Sequence, residues 1–399
     1  MNNIYAALEI GTSRTVLAIG EAETGGRLKV TCHAEIPSTG VRKSQIRDIN
    51  QATQSIRSIL HEIEKKQDEI GLKITIGNAF LIVSGQHIKA TPAQGVSQID
   101  GKVGDDEIDE VLRSSRSTPV PKDRELLDIV DQDYIVDERS ETITPKGMSG
   151  RILKLNTLRI TADADHIKDA RTAAEAAHLE IREPLFATTC AADAVLEDHE
   201  RRNGVLVLDL GGGSTGYAVY SDGYLVSTGV IGVGGDHITN DIAHAFQTTN
   251  AQAEELKTTQ ANAMLGSAGK DETARVSIPG SSPLMESRTI SRRSLDTVVN
   301  ARVKELFTVI RETLEEQDLL HRLHAGIVIT GGGARLRGLE ALAEQTLAMN
   351  VRIGRPIHVD GLDGEDFPPA YSAVAGALLY AHRNYEEKSL FDGFRRLFK

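Results

Sequence analysis

A stretch near the N-terminus, AALEIGTSRTVLAIG (Ala6–Gly20), returns about half the chain later as LVLDLGGGSTGYAVY (Leu206–Tyr220). Each is a short apolar strand with an acid near its end, then a Gly/Ser/Thr turn, then a strand of β-branched and aliphatic residues. Such internal similarity implies two related halves built on one strand–turn–strand unit. A third glycine turn, in GIVITGGGARLRGLEAL, leads from an apolar strand into a helical pattern with Leu336, Leu339 and Leu342 on one face. Between the turns, strand patterns alternate with helical ones, among them an amphipathic helix around Ile56, Ile59, Leu60 and Ile63 and an Ala-rich one over Asp165–His178. The alternation favours an α/β fold.

Two stretches interrupt it. Residues 82–161 mix short β-like runs with one acidic helix near Asp105–Ser115, which predicts a small inserted α+β domain. Residues 234–325 read as largely helical, broken by a Gly/Ser/Pro-rich segment that predicts a surface hairpin or loop. With 399 residues, 40 % of them hydrophobic, the chain can bury a large core in two to four compact units. Its 45 basic and 57 acidic residues give a net charge of −12, which argues against nucleic acid as a partner and makes any attraction to an anionic surface local. Cys32 and Cys190 lack the spacing of a zinc site or disulfide framework and favour a reducing compartment. The first residues lack the pattern of a signal peptide. No apolar run approaches the roughly 20 residues of a membrane-spanning helix.

Gly, Ser and Thr at a strand turn let backbone N–H groups converge on an anion, because short side chains permit close approach. In the first turn Gly11, Thr12, Ser13 and Arg14 offer backbone donors, two hydroxyls and a cation; Gly211, Gly212, Gly213, Ser214 and Thr215 make the second turn. One such turn alone reads more readily as an ordinary tight hairpin. Two facing copies point to phosphate. Glu9 and Asp209 each stand two residues before their turn's first glycine, so both carboxylates would face the same phosphates and suit Mg²⁺ held largely through water. The alternative is that each acid bonds its own turn. Gly331, Gly332 and Gly333 offer a flat surface on which a nucleoside could lie.

The ordered set LEIGTS, LDLGGGST and ITGGGARLRGL resembles the phosphate-1, phosphate-2 and adenosine motifs of the actin, Hsp70 and sugar kinase superfamily. Within it the chain is most similar to the FtsA family of bacterial cell-division proteins. VSGQHI, GKDETARVSIP, AGIVITGGGARLRGLEALAEQTL and VRIGRPIHVDGL fall in that family's order over nearly the whole length.

The resemblance implies a two-lobed actin-like ATPase fold of duplicated ribonuclease-H-like halves, with ATP and Mg²⁺ in the cleft. Its subdomains would be 1A (1–81, 162–203 and 370–388), 1C (82–161), 2A (204–233 and 326–369) and 2B (234–325), followed by a tail (389–399). It places the β- and γ-phosphates near Gly11, Thr12, Ser13 and Gly211–Thr215, and the metal near Glu9 and Asp209, with Asp209 also positioning water. The adenosine would lie against Gly332, Gly333 and Arg335, with Gly235, Glu254 and Lys257 nearby. Where relatives that hydrolyse ATP well carry Glu or Gln at the interlobe helix, this chain aligns Phe186, or Glu183 in another register. With Phe186 there, water activation is poor, and the expectation is ATP binding with slow hydrolysis.

By the same resemblance, 1C would serve filament contacts and other division proteins. Subdomain 2B would dock the C-terminal peptide of FtsZ, the tubulin-like division protein, with Arg292, Arg293 and Arg302 meeting an acidic peptide. The expected location is the cytoplasmic face of the cell membrane at the division site, as a peripheral protein that self-assembles.

Leu390, Phe391, Phe394, Leu397 and Phe398 recur on one face of a C-terminal helix, with Arg395, Arg396 and Lys399 elsewhere on it. Such a stripe can dock on the protein's own core, but aromatics beside Arg and Lys suit an anionic lipid interface, and 389–399 is expected to be a membrane-targeting amphipathic helix. AHRNYEEK (Ala381–Lys388) reads as separating this tail from the last buried helix. A pilus-assembly adaptor, or a small-molecule kinase or phosphatase, on the same fold are the competing readings; the first leaves the tail unexplained, and the second needs a catalytic acid at the interlobe helix.

Overall fold

The computed structural model describes residues 4–22, 27–139, 142–266, 274–278, 287–360 and 367–397, with side chains followed as far as Asn384. The chain begins with β1 (Ile4–Ile10), β2 (Arg14–Ala22) and β3 (Leu28–Pro37), then a small hairpin of β4 (Val41–Arg42) and β5 (Gln45–Ile46). Helix α1 (Ile49–Glu69) and β6 (Asn78–Val83) follow. The insertion consists of β7 (Lys89–Lys102), α2 (Asp105–Arg116), β8 (Arg124–Val136) and β9 (Ser149–Asp163). The chain then returns through α3 (Ala164–Ala176), β10 (Glu180–Phe186), α4 (Ala187–Val195) and α5 (Asp198–Asn203). The second half runs β11 (Val205–Leu210), β12 (Thr215–Ser221), β13 (Tyr224–Ile231), α6 (Gly235–Ala245), α7 (Asn250–Thr259), β14 (Arg275–Ile278), β15 (Arg288–Ser291) and α8 (Arg292–Glu316). It closes with β16 (Gly326–Thr330), α9 (Leu339–Leu347), β17 (Val351–Ile353), β18 (Val359–Asp360) and α10 (Ser372–Leu397).

The repeat in the sequence is a repeat in topology. One sheet has the order β10-β6-β1-β2-β3-β18 and the other β13-β12-β11-β16-β17. In both, an antiparallel hairpin (β1–β2, β11–β12) has a parallel strand on one side (β6, β16) and an antiparallel one on the other (β3, β13). Tyr5–Leu8 and Val205–Leu208 are buried on both faces, as central strands with layers on either side must be.

Helix α1 shows how the sequence selects its packing. Asp48 caps it by accepting from Gln51 N at 3.0 Å, and Ala52, Ile56, Ile59 and Ile63 form its buried stripe. Helix α4 is different, being buried nearly all round. Its small residues let it pass between β11 and β12 on one side and α10 on the other. A β-carbon on Gly376 of α10 would lie 1.7 Å from Cys190 O of α4, so glycine sets this crossing distance. Alternate side chains of β11 divide between two cores, Val205 and Val207 toward the first lobe and Leu206, Leu208 and Leu210 toward the second. The insertion forms a separate sheet, β7-β9-β8, with its own core of Ile99, Val103, Val111, Val136, Leu153 and Leu155.

The predicted hairpin in the second insertion is β14–β15, paired from Arg275↔Ser291 to Ile278↔Arg288. The tail differs from expectation. Ala381–Lys388 does not separate it from the preceding helix: the backbone of α10 is helical without a break from Ser372 to Leu397. The segment holds neither Gly nor Pro to stop a helix. Phe398 and Lys399, and the side chains of Leu390, Phe391, Phe394, Arg395, Arg396 and Leu397, lie outside the described residues. Among the described residues no helix is long and apolar enough to cross a membrane.

Candidate nucleotide site in the interlobe cleft

The two repeated turns close alike. Ile10 pairs with Thr15 and Leu210 with Thr215; Gly11 N donates to Arg14 O at 3.0 Å, and Gly211 N to Ser214 O at 3.0 Å. Both turns line one cleft, and they meet across it. A β-carbon on Gly213 would lie 2.5 Å from Thr12 Oγ1, and one on Gly212 2.9 Å from Ser13 Oγ. Glycine at these two positions is what lets the turns approach.

The third turn joins them through sheet register. Asp209 pairs with Thr330 on β16, so the next residue, Gly331, stands beside the Asp209 carboxylate. Gly331 has φ +84°, and a β-carbon there would lie 2.5 Å from Asp209 Oδ1. In the first lobe Glu9 pairs with Ile82 on β6, which brings Ser84 to the cleft. Gly332 and Arg335 bound a single helical turn after Gly331, and the space over Gly332 is open, with no atom within 4 Å of where a β-carbon would be.

Gly235 opens α6 directly on the second turn, with Gly235 N donating to Gly211 O at 3.0 Å and Asp236 N to Gly212 O at 2.8 Å. Lys257 Nζ holds this junction through Gly235 O at 3.2 Å, Thr239 Oγ1 at 2.9 Å and Glu254 Oε2 at 2.6 Å. The structure therefore brings together Glu9, Asp209, all three turns, and Gly235, Glu254 and Lys257.

Arg14 supplies less to the cleft than its place in the turn suggests. Its guanidinium donates to Glu35 at 2.5 Å and to Ala370 O, and sits 5.3 Å from the centre of the Tyr371 ring. The nearby carboxylate shares the cation, and Arg14 O closes the turn. Among the described residues neither cleft acid makes an ion pair, and Arg14 acts on both from a distance. Burial pushes the Glu9 carboxyl up, with Arg14 opposing and Glu35 adding. Asp209 is pushed up to about 7 by burial first, then by the charge of Glu9, against Arg14. Two desolvated oxygen donors beside backbone amides fit a hard divalent cation and the phosphates it accompanies.

At the interlobe helix the two registers are separated. Phe186 is the buried residue capping α4, and Glu183 lies on β10, where after burial its charge helps raise the Tyr380 hydroxyl. The residue that α4 presents to the cleft is Thr188, packed on Gly216. Ser44, Ser84 and Thr188 are cleft residues that reading the three glycine turns misses, because each arrives from another segment of the chain.

The arginines expected to meet an acidic peptide stand apart from the cleft, on α8. Arg302 forks onto Asp241 at 2.5 and 3.0 Å and reaches Glu305 at 2.7 Å, so its charge is matched within the protein. Arg292 donates to Gln260 O at 3.0 Å, and Arg293 is exposed.

Two duplicated sheets joined over a cleft by a shared helix, with three glycine turns at its floor, define the actin-like ATPase fold. Solved structures agree. The chain is similar to the "PilM-PilN type IV pilus biogenesis complex" (TM-score 0.66, 18 % identity, 95 % of this chain and 98 % of that one). It is also similar to MreB5 of Spiroplasma citri bound to ADP (TM-score 0.55, 13 % identity, 96 % and 98 %). The family models "Cell division protein FtsA" and "SHS2 domain inserted in FTSA" match residues 206–376 and 85–161. The cell division protein FtsA of Pseudomonas aeruginosa is 34 % identical over 378 residues, covering 94 % of this chain and 89 % of that protein. The chain belongs to the FtsA family of cell-division proteins.

Proposed function

We propose that the chain binds ATP with Mg²⁺ in the interlobe cleft, assembles into actin-like filaments on the cytoplasmic membrane face, and tethers FtsZ there to build the division septum. The observation that carries the nucleotide part is the pair of register-matched turns meeting across the cleft beside two desolvated acids. Family membership carries the rest. In this reading the amides and hydroxyls of Gly11–Ser13 and Gly211–Thr215 hold the phosphates, and Gly331–Gly333 with Arg335 face the adenosine. Gly235, Glu254 and Lys257 bound the ribose side. Glu9 and Asp209 would hold Mg²⁺ largely through its water, and bound Mg²⁺ would neutralise charge on the phosphate oxygens. The related MreB5 was solved with ADP, which supports nucleotide as the ligand class. Because α4 offers Thr188 and no acid to the cleft, water is poorly activated and turnover is slow. The inserted 1C unit would contact other division proteins and neighbouring subunits, and 2B would receive the FtsZ C-terminal peptide.

Energetics set how the tail works. Fully burying five large apolar side chains yields on the order of 7–15 kcal/mol, but interfacial immersion is partial and ordering costs about 1–2 kcal/mol per residue. Each basic residue near anionic lipid adds roughly 1 kcal/mol. One tail therefore binds reversibly, and a filament that arrays many tails binds firmly through effective concentration. Co-sedimentation with anionic vesicles in the presence of ATP tests this. Intact protein should pellet, while a chain ending at Lys388, or the Phe394→Glu variant, should stay in the supernatant. Equal pelleting of all three would remove the tail from the membrane role.

A further inference from the structure

The small hairpin β4–β5 carries its two-residue turn, Lys43–Ser44, in the left-handed region, with φ +50° and +59°. Asn and Gly are the residues that suit such turns, because a β-carbon there crowds the backbone. A Lys and a Ser held this way, in place of Asn or Gly, mark a conformation imposed by the surroundings, of the kind that clusters at binding sites.

Those surroundings are the two repeated turns. Ser44 N donates to Thr12 Oγ1 at 2.8 Å, and Ser44 Oγ lies 3.4 Å from both Thr12 Oγ1 and Ser214 Oγ. A β-carbon on Gly213 would meet Lys43 Cα at 3.0 Å, and one on Gly85 would meet Ser44 Cβ at 2.9 Å. Ser44 is thus wedged where the first lobe's turn, the second lobe's turn and the entry to the inserted domain converge. Its backbone is firmly placed, but its hydroxyl is not. Hydroxyl pairs at 3.4 Å lie well beyond the 2.7–2.8 Å of a good O–H···O bond, so this donor is free to turn to a stronger acceptor.

We propose that Ser44 reads the terminal phosphate of a nucleoside triphosphate. Its hydroxyl donates to a γ-phosphate oxygen held between Thr12 and Ser214, replacing two long hydroxyl contacts with one charge-assisted bond. A diphosphate ends one group short of this position and leaves the hydroxyl as it is, so the strained hairpin is a clasp that distinguishes the two nucleotides. This rests on the nucleotide reading of the cleft.

Titration of full-length protein with fluorescent N-methylanthraniloyl derivatives of ATP and ADP, each with Mg²⁺, tests it. Wild-type protein should bind the triphosphate more tightly. Ser44→Ala and Ser44→Gly should weaken triphosphate binding about tenfold or more and diphosphate binding less than about twofold. Ser44→Gly suits the positive φ, so a loss shared by both variants belongs to the hydroxyl and not to a damaged turn. Equal weakening of both nucleotides, or an unchanged ratio, would overturn the proposal while leaving the cleft as a nucleotide site. Wild-type protein that held both equally would do the same. Wild-type protein that bound neither would overturn the cleft reading and this proposal together.

Discussion

Replacing Asp209 with Asn removes a charge that the folded protein holds at a cost and keeps the side chain's shape. Burial and the neighbouring Glu9 raise this carboxyl from 3.8 to about 7. At about 1.4 kcal/mol per pH unit, ionising it in the cleft without a cation costs the fold on the order of 4 kcal/mol. The sign follows from proton counts. Between pH 3.8 and about 7 the folded state holds a proton that the unfolded state has released, so this group's contribution to stability falls as pH rises through that window and is flat above it. Asp209→Asn should therefore stabilise the nucleotide-free protein at pH 8 and change little at pH 4. With Mg²⁺ and ATP the order should reverse, because a bound cation stabilises wild type through the carboxylate that the variant lacks. The chain contains no tryptophan, so unfolding is best followed by circular dichroism at 222 nm. A variant less stable than wild type at pH 8 without nucleotide, or one that gained as much as wild type from Mg²⁺ and ATP, would refute the reasoning.

Two further outcomes follow from the proposed function. Arg302→Glu sets a carboxylate against Asp241 and Glu305, so FtsZ-peptide binding measured by fluorescence anisotropy should fall at least about fivefold, with some loss of stability from the broken fork; unchanged affinity would remove Arg302 from the docking surface. Steady-state phosphate release by purified protein should stay below about one per second, and faster turnover would require a water-activating group that α4 does not supply.

Much of this was legible before any coordinates, for a physical reason. A glycine turn between two apolar strands is local chemistry, so the duplicated hairpins, Glu9 and Asp209 could be read directly, and sheet register then carried Gly331 to Asp209. What stayed hidden depends on where the chain goes. VRKSQI has no Asn-Gly to announce a two-residue turn, yet Ser44 reaches the cleft because Thr12 holds its amide and the second lobe's Gly213 packs beside it. FATTC reads as an ordinary apolar helix, and only the crossing with α10 and β12 aims Thr188 at Gly216. Arg14 reads as a cation beside the turn, and only the pairing of β2 with β3 shows that Glu35 shares its guanidinium. Nothing in the sequence around Arg302 tells that Asp241, 61 residues earlier, lies opposite it.

The account stands on the two facing turns holding one nucleotide's phosphates. Isothermal titration of full-length protein with ATP and Mg²⁺ tests that most directly when repeated on Gly213→Val, whose side chain would enter the space of Thr12 Oγ1, 2.5 Å from the first added carbon. Wild type should bind one ATP per chain, and the variant, with its circular dichroism unchanged, should lose at least about tenfold in affinity, roughly the worth of one phosphate-bearing hydrogen bond. Undiminished binding by Gly213→Val, or no binding by wild type, would contradict the claim.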